Sequence, residues 1–515
     1  MIDRVFALDG RALAAFRMAL GFILLFDLWI RSGSLTEHYS DNGMFTRKQW
    51  IEAGEGTWRW SLHVINGQPG FTTALMVIAA LAALALIVGR HTRLATIISW
   101  LLLASLHQRN EYVNNGADAL LRVLLFWSMF LPLGMSWSLD RRRIEYTLSS
   151  RAKAERSRSL LSVAGVCLIL QFVLMYVFCG LFKLNDVWRE GDALRRSLSF
   201  DMYAKPLGES LRGQTAMLRT LSQSVPWVEI VLPALCLLPV FTKVWRSLAI
   251  LVFLGLHLGI EMTLTTGLFP WVCLAGWLLF FPTAFWDRVD SWLLRGASVK
   301  KDGITQSTNA VPLVNSSGAQ QRTASGQLLD GGLVFLLFYV VVWNISGLRE
   351  VSTKVPWLDA KHHWLAEVTT LRQKWEMFRD PPVDTGWYVV IGTLADGREI
   401  DVLTGEVLEK RDEKMSGRMA AQYPDHRWRK YMATVANDDY RSHRSRLANA
   451  LALRWNRTHD EKDRLAWIEL LFMRRTLGKP GEPTSPPKRI VMHKAPVLGE
   501  GETIHTPLPT EGGRE

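Results

Sequence analysis

Apolar residues in this chain gather into long runs between residues 12 and 347. A run of about 20 such residues can cross the roughly 30 Å hydrocarbon core of a bilayer as a helix. Nine runs approach this length, at 12–31, 71–89, 93–108, 119–137, 159–183, 224–242, 245–264, 268–286 and 329–347. The pattern therefore predicts an all-α polytopic membrane protein with about nine transmembrane helices.

The chain after residue 348 has another texture, in which charged residues and prolines replace the long apolar runs. The apolar run 387–391, the pair Asp396-Gly397 and a second apolar run at 400–403 predict a β-hairpin with an Asp-Gly turn. Residues 437–476 are predicted to be helical, since apolar residues recur there among many arginines. A small α+β soluble C-terminal domain is the expected result.

These changes of texture also predict the domain organisation. A membrane domain is followed by a linker rich in Ser, Gly, Gln and Thr, then by a last span and a soluble domain. A tail rich in Pro and Gly, predicted to be disordered, ends the chain. In order, these parts are residues 1–290, 291–328, 329–347, 348–477 and 478–515.

The net charge of +12 is concentrated in loops beside the predicted spans, notably 138–158 and 287–328. Basic loops stay on the cytoplasmic side of a membrane, so this charge indicates topology and a lipid partner rather than a nucleic acid. The N-terminus is then cytoplasmic, and nine spans place the C-terminal domain outside the cytoplasm. The loop 184–223 opposes this orientation, because it holds six basic residues on the outer side. The expected location is a bacterial inner (plasma) membrane, in multi-pass form.

The cysteines predict neither a disulfide framework nor a zinc ribbon. All four lie within predicted spans, and the sequence has no C-x-x-C pair. No metal site is predicted, since no cluster of His and carboxylate residues has ligand spacing.

Ionisable residues in or beside a span are costly, so each is a candidate for function. In the predicted topology, four spans bring polar groups to one depth near the outer face. We therefore expect a single chamber that opens outward. Its candidate residues are His107, Arg109, Asn110, Asp118, Tyr176, Lys183, His257 and Glu261.

Lys183 is the first candidate and has two interpretations. A lysine at the end of a span can extend its ammonium group to the lipid headgroups. Alternatively, it is a desolvated lysine that acts as a base or nucleophile. Cys179 at i−4 and Tyr176 at i−7 share its helical face.

His257 and Glu261 are spaced i, i+4 and also share a face. Such a pair can act as general acid or base with the carboxylate orienting the imidazole, or it can be a buried structural pair. His107, Arg109 and Asn110 can bind an anionic group of a substrate or cofactor, or a lipid headgroup.

Arg17 and Asp27 lie on the first span, about 15 Å apart along its axis, and are too distant to pair with each other. Each is expected to pair with another span.

Several motifs resemble a known family. Residues 8–290 resemble the bacterial HTTM (horizontally transferred transmembrane) domain, which is related to vitamin K-dependent gamma-carboxylase. Residues 373–382 resemble the start of a soluble domain often attached to bacterial members. The stretches that carry the resemblance are 38–43 (HYSDNG), 106–110 (LHQRN), 115–118 (NGAD), 130–134 (FLPLG), 178–184 (FCGLFKL), His257 and 267–270 (GLFP).

The resemblance implies quinol chemistry. In the carboxylase, a lysine base deprotonates reduced vitamin K, oxygen converts the quinol into a strong base and then an epoxide, and carbon dioxide adds to a glutamate. By motif position Lys183 is the base, with reduced vitamin K or a menaquinone-like quinol as cofactor and a protein or peptide substrate outside the cytoplasm. The functional histidine that follows paired asparagines in the carboxylase has no counterpart in Arg109-Asn110-Glu111-Tyr112.

Two functions therefore remain open. The first is a vitamin K-dependent gamma-carboxylase-like enzyme, with Lys183 as base and His257 and Glu261 handling protons or positioning the cofactor. The second is a non-enzymatic membrane assembly factor or scaffold with an exported partner-binding domain.

Overall fold

The structure is a computed structural model that describes residues 1–142, 159–295, 323–348, 363–407 and 422–497. It is mostly helical, with a small sheet near the C-terminus. The predicted fold class is confirmed at this level. The predicted linker lies largely outside the described residues, apart from the ends of two helices.

Within the described residues, ten helices build the membrane domain and the last span. They are α1 (Gly10–Ser32), α2 (Pro69–Val88), α3 (Thr92–Arg109), α4 (Gly116–Ser128), α5 (Val163–Phe182), α6 (Thr215–Leu235), α7 (Thr242–Thr263), α8 (Phe269–Trp277), α9 (Thr283–Arg295) and α10 (Ala324–Ser346). Shorter helices connect them at Ile2–Phe6, Leu35–Tyr39, Arg47–Ala53, Asp186–Arg189, Ala193–Ser199 and Pro206–Ser210, and Trp364–Val368 follows α10.

The count of nine spans is not confirmed. Within the described part of the chain, five helices are long and apolar enough to cross a membrane: α1, α2, α5, α7 and α10. A sixth span exists only if the bent pair of α8, extended to Phe280, and α9 is taken as one, and that pair is bent by 99°.

The remaining predicted spans contain helices that fall short for different reasons. Helix α4 has only 13 residues. Helix α3 ends in polar residues that include His107 and Arg109, and α6 begins with a polar turn and contains Pro226 and Pro233. A long apolar run in the sequence therefore does not always form a helix that is both long and apolar.

Helix α5 is the centre of the bundle. In its most apolar window 72% of the residues are buried, against 22–50% in the other four candidate spans. It packs against α4, α6 and α10. At Gly180 helix α6 comes so close that an added Cβ would lie 2.6 Å from the Pro226 carbonyl oxygen. This contact places the C-terminal end of α5 directly against α6.

The C-terminal domain is a four-stranded antiparallel sheet with helices against one side. Its strands are β1 (Asp384–Leu394), β2 (Glu399–Asp401), β3 (Leu465–Thr476) and β4 (Lys488–Pro496), in the order β2-β1-β3-β4. Helices α11 (His426–Val435) and α12 (Arg444–Thr458) precede β3. The predicted hairpin is confirmed, with Ile391 paired to Asp401 and Gly397 at φ +89° in the turn.

Two expectations for this domain are wrong. The helix predicted over 437–476 ends at Thr458, and 465–476 form the strand β3, which pairs with β1 on one side and β4 on the other. Its apolar residues are buried because it lies inside the sheet. The tail predicted to be disordered from residue 478 contains β4, because residues 488–496 pair with the edge of β3 that β1 does not occupy.

The segment 371–380, here called the roof segment, joins the C-terminal domain to the bundle. Leu371 and Trp375 belong to the same buried core as the membrane helices. The Gln171 side chain of α5 donates to the Gln373 side chain at 2.8 Å, and the indole of Trp343 on α10 donates to the Gln373 carbonyl at 2.9 Å. The predicted boundary at residue 348 is therefore not a boundary of packing.

We expect Gly180→Ala to lower the stability of the bundle by about 1–3 kcal/mol, since the new methyl group must displace α6. Thermal unfolding of the purified protein in detergent measures the loss. Gly255→Ala on α7 is the matched control, because an added Cβ there meets nothing within 4 Å. An unchanged melting temperature for Gly180→Ala would show that the two helices are not held at this distance.

Candidate functional site

Lys183 follows the last turn of α5 and does not extend toward lipid headgroups. Its side chain is buried at 4% exposure, and its Nζ atom lies 2.6 Å from Oε2 of Glu229. Nζ also donates to the carbonyl of Cys179 at 3.4 Å. The ammonium of Lys183 therefore has an anionic partner inside the protein.

Glu229 was missed in the analysis of the sequence. It is the single acidic residue in the apolar part of α6, between Pro226 and Pro233, and it is 7% exposed. An isolated acid inside a span was the signal that could have found it. The absent side chain of Gly180 lets α6 come close enough for this carboxylate to reach Lys183.

Tyr176, His257 and Trp277 form a hydrogen-bonded chain beside Lys183. The Tyr176 hydroxyl and the His257 Nε2 atom are 2.6 Å apart, and the Trp277 indole donates to that hydroxyl at 2.9 Å. The Nδ1 atom of His257 is buried and has no hydrogen-bond partner among the residues that the structure describes. Tyr176 lies two turns before Lys183 along α5, so the chain is joined to the helix that ends at Lys183.

The structure does not pair His257 with Glu261. The Glu261 carboxylate lies 2.7 Å from Nζ of Lys205 in the loop ahead of α6. Both of these side chains are 28% exposed. The two residues are one turn apart on α7 and bind different partners, since His257 lies against the Tyr176 hydroxyl and Glu261 against Lys205.

The roof segment covers the Lys183 end of α5. The Trp188 ring lies over Lys183, with Nζ 5.5 Å from the ring centroid. The Trp188 indole donates to the Phe378 carbonyl at 2.9 Å, and the Asn185 side chain donates to the Arg379 carbonyl at 2.9 Å. The site is therefore closed at this end by main-chain atoms of the roof segment.

His107 and Asp118 belong to a second buried cluster. Asp118 Oδ1 lies 3.2 Å from His107 Nε2 and accepts a hydrogen bond from Arg31 at 2.6 Å. Arg31 also binds Asp27 at 2.8 Å, one turn away on α1. Arg427 of the C-terminal domain donates to both Asp27 and Asp118. Asp27 thus pairs with its own helix and with a distant domain, rather than with another span.

Arg109 and Asn110 hold a connecting loop in place. Arg109 donates to the Phe45 carbonyl at 2.7 Å, and Asn110 donates to the His38 carbonyl at 2.9 Å. Both side chains are fully buried. Their donors bind the 38–45 loop, so the structure places them with the fold of this loop rather than with the Lys183 cluster.

The predicted single chamber is thus two clusters. Lys183, Tyr176 and His257 lie together with Glu229, while His107 and Asp118 lie with Asp27, Arg31 and Arg427. In the second cluster, ligand atoms of Asp27, His107 and Asp118 lie within 4.8 Å of one another, a spacing that a metal ion can use. The guanidinium groups of Arg31 and Arg427 already bind those carboxylates.

Comparisons with known proteins identify one family. A family model described as the HTTM domain matches residues 7–286, which is more than half of the chain. Neither the curated proteins nor the solved structures contain a match.

We expect Tyr176→Phe to destabilise the protein by about 1–3 kcal/mol, because the Trp277 indole and His257 Nε2 would both lose a buried partner. Thermal unfolding in detergent measures this effect. Tyr440→Phe in the C-terminal domain is the control, since its ring is half-buried and surface substitutions typically change stability by less than about 0.5 kcal/mol. Equal effects of the two changes would contradict the hydrogen-bonded chain.

Proposed function

The chain belongs to the HTTM domain family, and on that premise we propose that it is a membrane enzyme in which Lys183 takes a proton from a lipid-soluble quinol. The HTTM domain is found in membrane proteins related to vitamin K-dependent carboxylase. The proposal extends that relation to this chain at one residue, on the resemblance of the stretch around Lys183. The observation that carries it is the burial of Lys183 against Glu229.

Burial gives Lys183 and Glu229 a chemistry that a surface pair lacks. In a medium of low dielectric constant, an ammonium–carboxylate pair loses much of its advantage over the neutral amine–carboxylic acid pair. A shift of one proton along the 2.6 Å contact then frees the amine as a base. Lys183 would then take a proton from a bound hydroxyl while Glu229 stays a neutral carboxylic acid, so that the negative charge beside the new ammonium is the one left on the deprotonated hydroxyl oxygen.

The residues around Lys183 suit a reduced quinone. A quinol ring needs apolar contact and a few polar groups for its hydroxyls. The rings of Phe253 and Phe269 lie against His257, Trp277 stacks on Phe253, and the unpartnered Nδ1 atom of His257 can bind a hydroxyl. When bound, a reduced quinone supplies an acidic hydroxyl and, with oxygen, the capacity for epoxidation.

His257 and Tyr176 have a positioning role in this proposal. Because Nε2 of His257 is engaged by the Tyr176 hydroxyl, the imidazole is held with Nδ1 free. Glu261, Arg109 and Asn110 have no part in it, since their side chains bind Lys205 and the 38–45 loop. The location follows the sequence expectation: a bacterial inner membrane with the C-terminal domain outside the cytoplasm and a peptide as further substrate.

We expect Lys183→Ala to reduce oxygen-dependent epoxide formation from reduced menaquinone or vitamin K by at least about 100-fold, since it removes the general base. Glu229→Gln is expected to shift the pH dependence of the rate, because a neutral amide cannot accept the proton whose transfer frees the Lys183 amine. The assay uses the purified full-length protein in detergent or nanodiscs.

Lys205→Ala is the matched control for that experiment. It breaks a Lys–Glu pair of nearly the same length, 2.7 Å, on the half-exposed side of α7. If Lys183→Ala leaves epoxide formation unchanged, Lys183 is not the base. If the wild-type protein forms no epoxide, the proposed enzymatic activity is wrong. A second readout, incorporation of carbon dioxide into a glutamate-containing peptide, tests the carboxylation step separately.

A scaffold is the alternative function, and one observation favours it. A short Lys–Glu pair between two packed helices is also what a purely structural ion pair looks like. In that case the swapped pair, Lys183→Glu with Glu229→Lys, retains the fold and the cellular function. Loss of cellular function in a swapped variant that melts normally would exclude the scaffold.

A further inference from the structure

Arg427 is the deepest link between the C-terminal domain and the membrane domain. It is the second residue of α11, and its side chain is 1% exposed. One terminal nitrogen donates to Asp118 Oδ2 at 2.6 Å and to the Val113 carbonyl at 3.0 Å. The other donates to Asp27 Oδ1 at 2.5 Å and to Asp118 Oδ1 at 2.8 Å. Asp118 is thus bound at both oxygens by one planar group.

Charge balance makes this contact indispensable to the cluster. Asp27 and Asp118 carry two negative charges, and Arg31 alone supplies one positive charge to them. Without Arg427, one carboxylate would remain uncompensated in a buried site, which is strongly destabilising. Burial alone would lower the pKa of Arg427, but Asp118 and Asp27 raise that pKa above its usual value. The guanidinium therefore stays charged at any physiological pH.

The geometry selects a guanidinium over other cations. A planar fork satisfies both oxygens of one carboxylate and reaches a second carboxylate and a carbonyl, whereas an ammonium is a single point of charge. A divalent metal ion would have to share the carboxylates with the guanidinium of Arg31, which repels it. The charge and geometry of the site thus match the guanidinium group of Arg427.

We propose that Asp27, Arg31 and Asp118 form a guanidinium-binding pocket in the membrane domain, and that Arg427, as its resident ligand, latches the C-terminal domain over the Lys183 end of the bundle. The first part stands without any catalytic role for the protein. The second part, control of access to Lys183, rests on the proposed function.

Contacts around Arg427 show how the latch reaches the Lys183 site. The neighbouring His426 ring packs on Gly267, where an added Cβ would lie 2.6 Å from it. Gly267 is two residues before Phe269, whose ring is 5.9 Å from that of His257. On the other side, Trp428 donates to the Ser34 hydroxyl at 2.7 Å. Release of α11 would therefore loosen the loop that supports the His257 environment.

The latch and the roof segment close the same end of the bundle. Met377 of the roof segment packs against Gly116, two residues before Asp118 on α4. Arg122, one turn further along α4, donates to the carbonyl groups of Thr370 and Arg372. In the proposed function a quinol enters from the lipid, whereas an aqueous peptide has to displace this cover first. An open latch is therefore the state that admits a peptide.

Hydrogen exchange of the full-length protein tests the latch without any need for activity. In Arg427→Ala, amides of α11 and of the roof segment are expected to exchange at least about 100-fold faster. The reason is that loss of one partner of a buried ion pair leaves an uncompensated charge, which is strongly destabilising. Millimolar guanidinium chloride is expected to restore slow exchange by refilling the pocket. Sodium chloride and urea at the same concentration are expected to have no such effect.

Arg429→Ala is the matched control. Arg429 lies on the same helix, is 2% exposed, and places its guanidinium over the Tyr203 ring rather than on a carboxylate. Guanidinium chloride is not expected to reverse any change in hydrogen exchange that Arg429→Ala causes. Exchange in Arg427→Ala that equals the wild type, or that guanidinium leaves unchanged, would overturn the pocket. If Arg427→Ala does not fold, the neutral substitution Arg427→Gln replaces it, with the same expected response to guanidinium.

Access to Lys183 is read separately. In Arg427→Ala, a water-soluble thiol reagent is expected to label an Asn185→Cys site faster than in the Asn185→Cys protein alone. Equal labelling would overturn the control of access and leave the pocket standing. Loss of quinol chemistry in Lys183→Ala, by contrast, bears on the proposed function only.

Discussion

Lys183 and the pair Asp27 and Asp118 are removed from water, and each meets an opposite charge at close range through the positions of the helices and of the C-terminal domain. Lys183 at the end of the central helix is met by Glu229, because Gly180 allows α6 to come close. Asp27 and Asp118 are met by Arg31 and Arg427. An unpaired ion at either place would cost several kcal/mol. The contacts between helices and between domains are therefore fixed by electrostatic need as much as by apolar packing.

The two charged clusters serve different purposes but share one end of the molecule. The Lys183 cluster contains a buried amine, a carboxylate and an imidazole with a free ring nitrogen, which together can move and hold a proton. The second cluster is saturated by guanidinium groups and joins domains. Gly267 and the roof segment connect them, since His426 packs on the first and Trp188 binds the second. The residues of the proposed proton transfer and those that dock the C-terminal domain therefore lie next to each other but are different side chains.

Much of this arrangement followed from the sequence, and the rest failed for identifiable reasons. Five of the nine predicted spans meet the length and hydropathy of a membrane helix, and the Asp396-Gly397 turn is where it was expected. Helical periodicity placed Tyr176 and Lys183 on one face, which the structure retains. It could not supply Glu229 or Arg427, because their partners lie 46 and 309 residues away in the chain. The strand β3 was predicted as a helix because an apolar run alone does not distinguish a buried strand from a buried helix.

The salt link between Asp27 and Arg427 joins residues 400 positions apart in the chain. During synthesis the first helix therefore holds Asp27 with Arg31 as its partner, and the second partner, Arg427, is added only 400 residues later. Contacts between such distant residues form slowly, since closing a long loop costs entropy before the contact contributes any stabilising free energy. A chain truncated before Arg427 would leave the carboxylates of Asp27 and Asp118 with Arg31 as their shared guanidinium partner. The contact of Arg427 with Asp27 thus forms only after both the membrane domain and α11 have been synthesised.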